Sequence, residues 1–253
     1  MPTRNLDKIT AEYNNDKYAK LLYWVETQKH IPLEEAERAV ISMVGLSPER
    51  QICISRRQEL FVTTVRDAFE INRQELKSAV SAVVAGCRSV VELGSGCGLN
   101  LWRLKQAFSD LEFVGADFSA NAVTIARRFG QNVSEFNFYD ESTYSFLERC
   151  PQPIAVFTSH ALEQLPTATP FVKNLGAYHD RIKAVLHFEP VRDLHGQDLL
   201  GLRRARYTEL NDYNRDLLAT LRSAPDIEID RLDYDVIGVN PLNPSSVIQW
   251  HFR

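Results

Sequence analysis

The chain has 253 residues, with 29 Lys or Arg against 33 Asp or Glu, which gives a formal net charge of -4 at pH 7. Hydrophobic residues make up 44% and charged residues 25%, a composition typical of a globular protein and not of a disordered one. Because a mildly acidic chain has no general attraction for phosphate backbones or anionic lipid, we do not expect nucleic acid as a partner.

The four cysteines are scattered, at Cys53, Cys87, Cys97 and Cys150, without a C-x-x-C pair and without His at zinc-ligand spacing. Neither a disulfide framework nor a metal site is therefore expected. The first ten residues lack the apolar segment of a signal peptide, and no apolar run approaches about 18 residues. We expect a cytoplasmic protein with no membrane partner. The oligomeric state stays open, a homodimer included.

Before residue 88 the apolar residues follow helical spacing, as at Phe61, Val65 and Phe69. Pro32 and Pro48 each fit the first turn of a helix. The predicted helices cover residues 5–28, residues 33–44, a stretch that begins at Ser47, and residues 57–85. We expect residues 1–87 to form a helical cap or lid.

From residue 88 onward, short apolar runs alternate with stretches of helix length. The predicted strands are residues 89–93, 112–116, 135–139, 154–158 and 183–188, and the predicted helices are residues 99–108, 120–129, 142–150, 169–179 and 203–221. This alternation predicts a parallel sheet wrapped by helices. Two last strands, residues 227–239 and 246–252, flank the turn-rich residues 240–244 and predict an antiparallel edge. The fold class is therefore α/β, with a seven-stranded, mostly parallel sheet in a core domain of residues 88–253.

The strand at residues 89–93 leads directly into three alternating glycines, Gly94, Gly96 and Gly98, and a helix follows them. Glycine lets the backbone turn tightly and approach a ligand closely. A dinucleotide site prefers G-x-G-x-x-G, but here Leu99 stands where the third glycine would be, which counts against NAD or FAD.

An acid, Asp117, ends the second strand, 25 residues after Glu92. At that place a carboxylate can accept hydrogen bonds from both hydroxyls of a ribose. The alternative, that Asp117 caps the helix near Ser119, is less favoured. The loop, the acid and the strand order together predict an adenosine-type ligand.

The segment Glu-Leu-Gly-Ser-Gly-Cys-Gly at residues 92–98 resembles motif I of the class I S-adenosylmethionine-dependent methyltransferases of small-molecule type, and Asp117 matches their ribose-binding acid. The resemblance extends from about residue 88 to the last residue. It implies a Rossmann-like fold, S-adenosyl-L-methionine as cofactor and methyl transfer as the activity.

The resemblance also implies which residues contact the cofactor: Glu92, Gly94, Ser95, Gly96, Gly98, Asp117, Phe118, Asp140 and Thr158. The glycine loop and the motif I acid would line the methionine part, Phe118 would pack on the adenine, and Thr158 would lie beneath the methyl group. Asp140 matches a position that contacts the adenine amino group, but it could equally cap a helix near Ser142. Cys97 is interpreted as a small residue that faces the helix.

Catalytic groups are expected after the fourth strand and around the end of the fifth, where ligands gather in such sheets. The candidates are His160, Glu163, His187 and Glu189. Imidazole titrates near neutral pH, which makes His160 the best candidate for a general base or an acceptor-orienting group. Either acid could orient a histidine or bind a polar or cationic acceptor. The structural alternatives stay open: hydrogen-bonded histidines at strand ends, and Glu163 as a turn cap.

Aromatic residues before motif I suit a lid over the acceptor. Tyr13 and Tyr18, with His160, are predicted to bind the substrate, whereas Trp24 is expected to pack. The basic run at residues 203–206 is interpreted as a solvated helix face and not as an RNA site.

The predicted function is methyl transfer to an oxygen or nitrogen of a small-molecule acceptor, such as a metabolite or natural-product intermediate in biosynthesis. The family's base and glutamine amino methylases carry Asn/Asp-Pro-Pro-Tyr/Phe after strand four, and Thr-Ser-His-Ala stands at residues 158–161 instead. Two alternatives stay open: N-methylation of an amine, guanidine or amino acid specifically, and a non-catalytic member that binds the cofactor as a sensor or scaffold.

Overall fold

The computed structural model describes residues 5–28, 32, 35, 38 and 47–253. The first helical segment consists of α1 (Leu6–Ile9), a π-helical stretch (Thr10–Tyr18) and α2 (Ala19–Thr27). Asn5 caps its start by accepting a hydrogen bond from the Lys8 amide. The predicted helix of residues 33–44 lies outside the described residues, apart from Glu35 and Arg38.

Residues 51–64 form an antiparallel hairpin of β1 (Gln51–Arg56) and β2 (Glu59–Thr64). The helix predicted to begin at Ser47 is therefore wrong over these residues, and the helix predicted for residues 57–85 is wrong over residues 57–64. The chain reverses at Arg57 and Gln58, which have φ of 52° and 70°. Main-chain hydrogen bonds between Ser55 and Gly238 join this hairpin to the C-terminal part of the sheet. Such a long-range pairing gives no signal in local apolar spacing.

Helix α3 (Val65–Val83) follows the hairpin and begins where the Thr64 side chain accepts a hydrogen bond from the Asp67 amide. It packs on one face of the sheet through Ala68, Leu76 and Val80. The division between a cap of residues 1–87 and a core of residues 88–253 stays a prediction.

The central sheet has seven strands: β3 (Ser89–Leu93), β4 (Glu112–Asp117), β5 (Val133–Glu135), β6 (Ile154–Ser159), β7 (Ile182–Pro190), β8 (Ile227–Ile237) and β9 (Ser245–Phe252). Their order is β5-β4-β3-β6-β7-β9-β8, and β9 runs antiparallel to both of its neighbours. The predicted fold class is therefore confirmed.

The third predicted strand is displaced. It was expected at residues 135–139, whereas β5 ends at Glu135 and the chain then leaves the sheet. Phe136 and Phe138 gave the segment its apolar character, but they pack into the core beside Tyr144 instead of pairing.

The remaining helices are α4 (Leu99–Ala107), α5 (Ala120–Arg128), α6 (Thr169–Gly176), α7 (Leu199–Leu210) and α8 (Leu217–Ser223), with short 3₁₀ turns at Glu141–Arg149, Leu162–Gln164, His179–Arg181 and Arg192–Leu194. The single helix predicted at residues 203–221 is two helices. The side chain of Asn214 accepts hydrogen bonds from the amides of Asp216 and Leu217, which starts α8 separately.

Helices cover both faces of the sheet, and β3 is buried along its whole length. One apolar cluster contains Val91, Leu93 and Trp250, and a second, on the opposite face, contains Val90 and Phe188. Because the sheet is enclosed on both faces, the exposed ends of its strands are where a ligand can reach it.

The basic run at residues 203–206 is only partly a solvated face. Arg203 and Arg206 are exposed, but Arg204 is 1% exposed. Its guanidinium donates a hydrogen bond to Asp235 at 2.8 Å and another to the Tyr234 hydroxyl at 2.7 Å. The expectation of a solvated face is therefore wrong for Arg204.

Across residues 5–28 and 47–253, no helix combines the length and the apolar character needed to cross a membrane. In the same part of the chain, no three His, Cys, Asp or Glu side chains converge in a way that could hold a metal ion.

Candidate functional site

A cavity of about 380 Å³ lies at the carboxyl ends of β3, β4 and β6. The N-terminal helical segment forms its opposite wall through Leu6, Ile9, Tyr13 and Tyr18. The predicted site residues that line the cavity are Tyr13, Tyr18, Glu92, Gly94, Ser95, Gly96, Asp117, Phe118, His160 and Glu163.

The glycine loop needs glycine at two positions, for its backbone conformation and for the close approach of other chain segments. Gly94 and Gly96 have φ of 81° and 53°, in the region that glycine adopts readily. A Cβ on Gly94 would collide with the Ala161 side chain, and one on Gly96 would collide with the Tyr18 hydroxyl. The glycines therefore let the N-terminal segment and the chain after β6 meet over the loop.

Asp117 ties the glycine loop to the end of β4. Its two carboxylate oxygens accept hydrogen bonds from the amides of Gly96, at 2.8 Å, and Ser119, at 2.9 Å. Burial raises the pKa of Asp117, against the effect of these hydrogen bonds. The cap of α5 is Ser119 and not Asp117, since the Ser119 side chain accepts from the Ala122 amide. Each Asp117 oxygen keeps a further lone pair for a ligand in the cavity.

Glu92 brings a second buried carboxyl group to the cavity and is 1% exposed. The Asn100 amide donates to its Oε1 at 2.7 Å, while Oε2 has no hydrogen-bond partner among the described residues. Burial raises the pKa of Glu92 to about 8. The Ser95 hydroxyl, also in the cavity wall, likewise has no partner in the described part of the chain. Burial of such polar atoms without a partner costs free energy, and a ligand that pairs with them would remove this cost.

The π-helical stretch sets the direction of the two tyrosines. The hydrogen bonds of a π-helix join residues five apart, so Tyr13 and Tyr18 lie about one turn from each other, and their ring centroids are 6.5 Å apart. Burial, followed by the nearby Asp117, raises the pKa of Tyr18 well above its ordinary value. The side chain of Asn14 fastens the stretch to the start of α5 by accepting hydrogen bonds from the Ser119 hydroxyl and the Asn121 amide.

His160 and Glu163 lie together in the cavity wall. His160 Nδ1 is 3.3 Å from Glu163 Oε1, and His160 Nε2 is 2.7 Å from the Ser245 hydroxyl. Burial alone would lower the pKa of His160, but the Glu163 carboxylate, with a smaller effect from Glu189, outweighs it, so the net direction is upward. Asn243 donates a hydrogen bond to Glu163 Oε2 at 2.8 Å.

The fold is similar to that of a solved methyltransferase structure. The plantazolicin methyltransferase BamL, crystallised with a triazolic desmethylPZN analog and SAH, aligns with a TM-score of 0.52 at 12% sequence identity, over 98% of this chain and 99% of that chain. The chain has the class I methyltransferase fold.

Two further methyltransferase structures are similar with lower scores. The magnesium protoporphyrin IX methyltransferase ChlM from Synechocystis PCC 6803, with bound SAM, has a TM-score of 0.44 and 16% identity, over 74% of this chain and 83% of that chain. The O-methyltransferase NcsB1 from neocarzinostatin biosynthesis has a TM-score of 0.45 and 16% identity, over 72% of this chain and 57% of that chain. Neither the protein-family models nor the curated proteins contain a match to the sequence.

Within this methyltransferase fold, two predicted catalytic residues lie outside the cavity wall. His187 is fully buried between the Thr158 hydroxyl, 3.0 Å from its Nδ1, and the Trp250 indole, which donates to its Nε2 at 2.9 Å. Burial lowers the pKa of His187 to about 3, so the ring stays neutral. This geometry supports the structural alternative, a hydrogen-bonded histidine. The side chain of Thr158, predicted to lie beneath the methyl group, is hydrogen-bonded to this histidine.

Glu189 supports the segment after β6 from behind. Its carboxylate accepts hydrogen bonds from the amides of Ala161, Leu162 and Glu163. Burial raises its pKa to about 7, against the effect of His160 and these amides. We interpret Glu189 as a positioning residue for the cavity wall.

Three of the predicted cofactor residues also lie outside the cavity wall: Thr158, whose hydroxyl is hydrogen-bonded to His187, Gly98 and Asp140. Gly98 begins α4 with φ of 78° and packs against Gln131. Asp140 accepts hydrogen bonds from the Ser142 amide at 3.0 Å and hydroxyl at 2.7 Å, which is the capping geometry. A direct contact of any of these three residues with the cofactor stays a prediction.

Several residues of this site were not predicted from the sequence. Asn137 and Phe138 line the cavity where Asp140 was expected, and Gln164 and Leu165 extend the wall after His160. Asn243, in the turn before β9, is hydrogen-bonded to Glu163. Ser245, the first residue of β9, is hydrogen-bonded to His160. The turn-rich character of residues 240–244 marked a loop, but nothing in the local pattern indicated what it would contact.

Proposed function

We propose that the protein transfers a methyl group from S-adenosyl-L-methionine to an oxygen or nitrogen of a small-molecule acceptor. One observation carries the proposal: the glycine loop and Asp117, at the ends of adjacent parallel strands, open into a cavity that the N-terminal helical segment covers. In open α/β sheets this strand edge is where nucleotide-like ligands bind.

The residues present fit this cofactor. The unpartnered Oε2 of Glu92 suits the amino group of the methionine part, and the remaining lone pairs of Asp117 suit the ribose hydroxyls. Phe118 offers a ring for the adenine. When bound, the cofactor supplies an activated methyl group on a sulfonium. The structure of BamL with SAH supports the choice by likeness of fold.

On the acceptor side, the chain's own residues orient the acceptor and exclude water. Tyr13, Leu6 and Ile9 close the cavity from above, and enclosure with fixed orientation supplies much of the rate of a displacement reaction. Glu163 and His160 present a hydrogen-bonded acid–imidazole pair toward the acceptor. That pair is the group best placed to take the proton that an oxygen or nitrogen loses on methylation.

A second candidate, a cofactor-binding protein without turnover, has one observation in its favour: both ring nitrogens of His160 are already hydrogen-bonded. Location in the cytoplasm and absence of a nucleic-acid partner stay predictions, and the oligomeric state stays open.

Isothermal titration with S-adenosylmethionine and S-adenosylhomocysteine tests what the two candidates share, and binding of neither would refute both. A radiolabelled-methyl assay against fractionated metabolites then separates them. Label transferred to a small molecule supports the enzyme, and cofactor binding without transfer to any fraction supports the binding protein.

A further inference from the structure

The cavity wall formed by residues 159–165 has a one-sided chemistry. Among the described residues that line the cavity there is no Lys or Arg, and Glu163 is the carboxyl group that remains for the acceptor once Glu92 and Asp117 are assigned to the cofactor. His160 can carry positive charge, but it is hydrogen-bonded to Glu163 and Ser245. A carboxylate or phosphate on the acceptor would therefore meet like charge and no fixed cation.

Gln164 supplies an independent observation at the same wall. It is 6% exposed, and its Nε2 donates to Glu163 Oε1 at 3.0 Å. That hydrogen bond fixes the orientation of the amide, because a flipped amide would set two oxygens against each other. Its Oε1 is then left buried with no partner among the described residues. A buried acceptor atom without a donor costs free energy, so a ligand with an N–H or O–H group at this wall would be stabilised by pairing with it.

Glu163 is held rigidly beside this amide oxygen. It is 6% exposed, and three donors hold its two carboxylate oxygens: His160, Gln164 and Asn243. A carboxylate fixed in this way is preorganised for a charged donor, which distinguishes an amine from an alcohol. Leu6, Ile9 and Leu165 provide apolar walls around the polar pair.

We infer that the acceptor carries an amino group on an apolar body, and that Glu163 and the Oε1 of Gln164 recognise that group. The inference rests on the proposed function in one respect, that the ligand of this wall is the methyl acceptor. It narrows the substrate class to amines and excludes acceptors whose polar end is a carboxylate or phosphate.

Three probes of matched size test the inference: phenethylamine, 2-phenylethanol and phenylacetate, titrated into the full chain saturated with S-adenosylhomocysteine. We expect phenethylamine to bind about tenfold more tightly than the alcohol, since a hydrogen bond to a charged group is the stronger one. Phenylacetate should bind more weakly than either. Equal or tighter binding of the alcohol or of phenylacetate would overturn the inference.

Two variants locate the effect. Glu163→Gln keeps the shape and removes the charge, so the preference for the amine over the alcohol should disappear while the affinity for S-adenosylhomocysteine is kept. Gln164→Leu removes the unpartnered oxygen and should weaken amine binding by about fivefold, the size of one hydrogen bond. Glu228→Gln, on the exposed surface of β8, is the matched control and should leave all three affinities unchanged.

An amine preference that persists in Glu163→Gln would overturn the assignment to Glu163, and if that variant does not fold, Gln164→Leu decides. Failure of the proposed function is a separate result. If S-adenosylhomocysteine does not bind, the same three probes titrated into the free protein still report whether this wall selects an amine.

Discussion

His160 Nε2 lies 2.7 Å from the hydroxyl of Ser245, at the start of the last strand, while its Nδ1 faces Glu163. Both ring nitrogens are therefore occupied, and His160 holds its position with φ of 52°. An imidazole bound in this way orients Glu163, and direct proton exchange with an acceptor requires one of the two contacts to open. The predicted general base is thus coupled to Glu163, three residues along the chain, and to Ser245, which lies far from it in sequence.

The first prediction concerns the protonation of His160. Glu163→Gln removes the charge that raises its pKa, so the pKa should fall from above 6.5 in the parent protein to a lower value in the variant. NMR titration of the His160 ring protons measures both values. His187 is the internal reference, because burial lowers its pKa to about 3 and its signal should not titrate near neutral pH in either protein. An unchanged His160 pKa would contradict the assignment.

The second prediction separates two acids that follow neighbouring strands. Asp117→Ala should weaken S-adenosylhomocysteine binding at least about tenfold, because hydrogen bonds to a charged group are lost and the Gly96 amide loses its partner. Asp140→Ala should leave the dissociation constant nearly unchanged and lower the free energy of unfolding by about 1 kcal/mol through loss of a cap. Calorimetry and urea unfolding measure these effects. A tenfold loss of affinity in Asp140→Ala would instead support an adenine contact.

The third prediction compares two glycines with positive φ. Gly130→Ala meets open space and should cost only the left-handed backbone strain, about 1 kcal/mol. Gly96→Ala adds a collision with the Tyr18 hydroxyl to the same strain. We expect Gly96→Ala, but not Gly130→Ala, to abolish S-adenosylhomocysteine binding and to speed proteolysis of the N-terminal segment. Equal behaviour of the two variants would show that Tyr18 does not cover the loop.

The fourth prediction concerns His187 and pH. Its pKa is about 3 in the folded protein and about 6.5 in an unfolded chain. As pH falls through this window only the unfolded state takes up the proton, so the group lowers the free energy of unfolding by about 1.4 kcal/mol between about pH 7.5 and about pH 5.5.

His187→Gln lacks the titrating group but keeps an amide for Thr158 and Trp250, so it should be less stable at pH 7.5 and lose less stability on acidification, by about 1.4 kcal/mol. Urea unfolding of both proteins at the two pH values measures the difference. Parallel losses in the two proteins would mean that His187 is not buried as a neutral ring.

The fifth prediction tests the buried ion pair that connects α7 with β8 and the hairpin. Arg204→Met leaves Asp235 buried without its guanidinium partner and should lower the free energy of unfolding by about 3–5 kcal/mol. Arg203→Met, one residue away on the exposed face, should change it by no more than about 0.5 kcal/mol. Similar small losses in both variants would place Arg204 in solvent.

The local sequence pattern was enough to predict the first strand of the central sheet and the strand edge that holds the cavity. Strand β3 coincides with the apolar run at residues 89–93, and the glycines after it, with Asp117 at the end of β4, indicated the strand edge that holds the cavity. These features follow from the periodicity of apolar residues and from backbone conformations that few residue types adopt. Both can be recognised from a short stretch of sequence.

Which side chains meet depends on the packing of distant parts of the chain. The hairpin of residues 51–64 is held by Ser55 and Gly238, far apart in sequence, and its apolar spacing resembled a helix. His187 and His160 looked alike at strand ends, yet one is enclosed by Trp250 and the other lines the cavity beside Glu163. Burial and long-range contacts set their charge and access, and these are properties of packing that no local stretch of sequence contains.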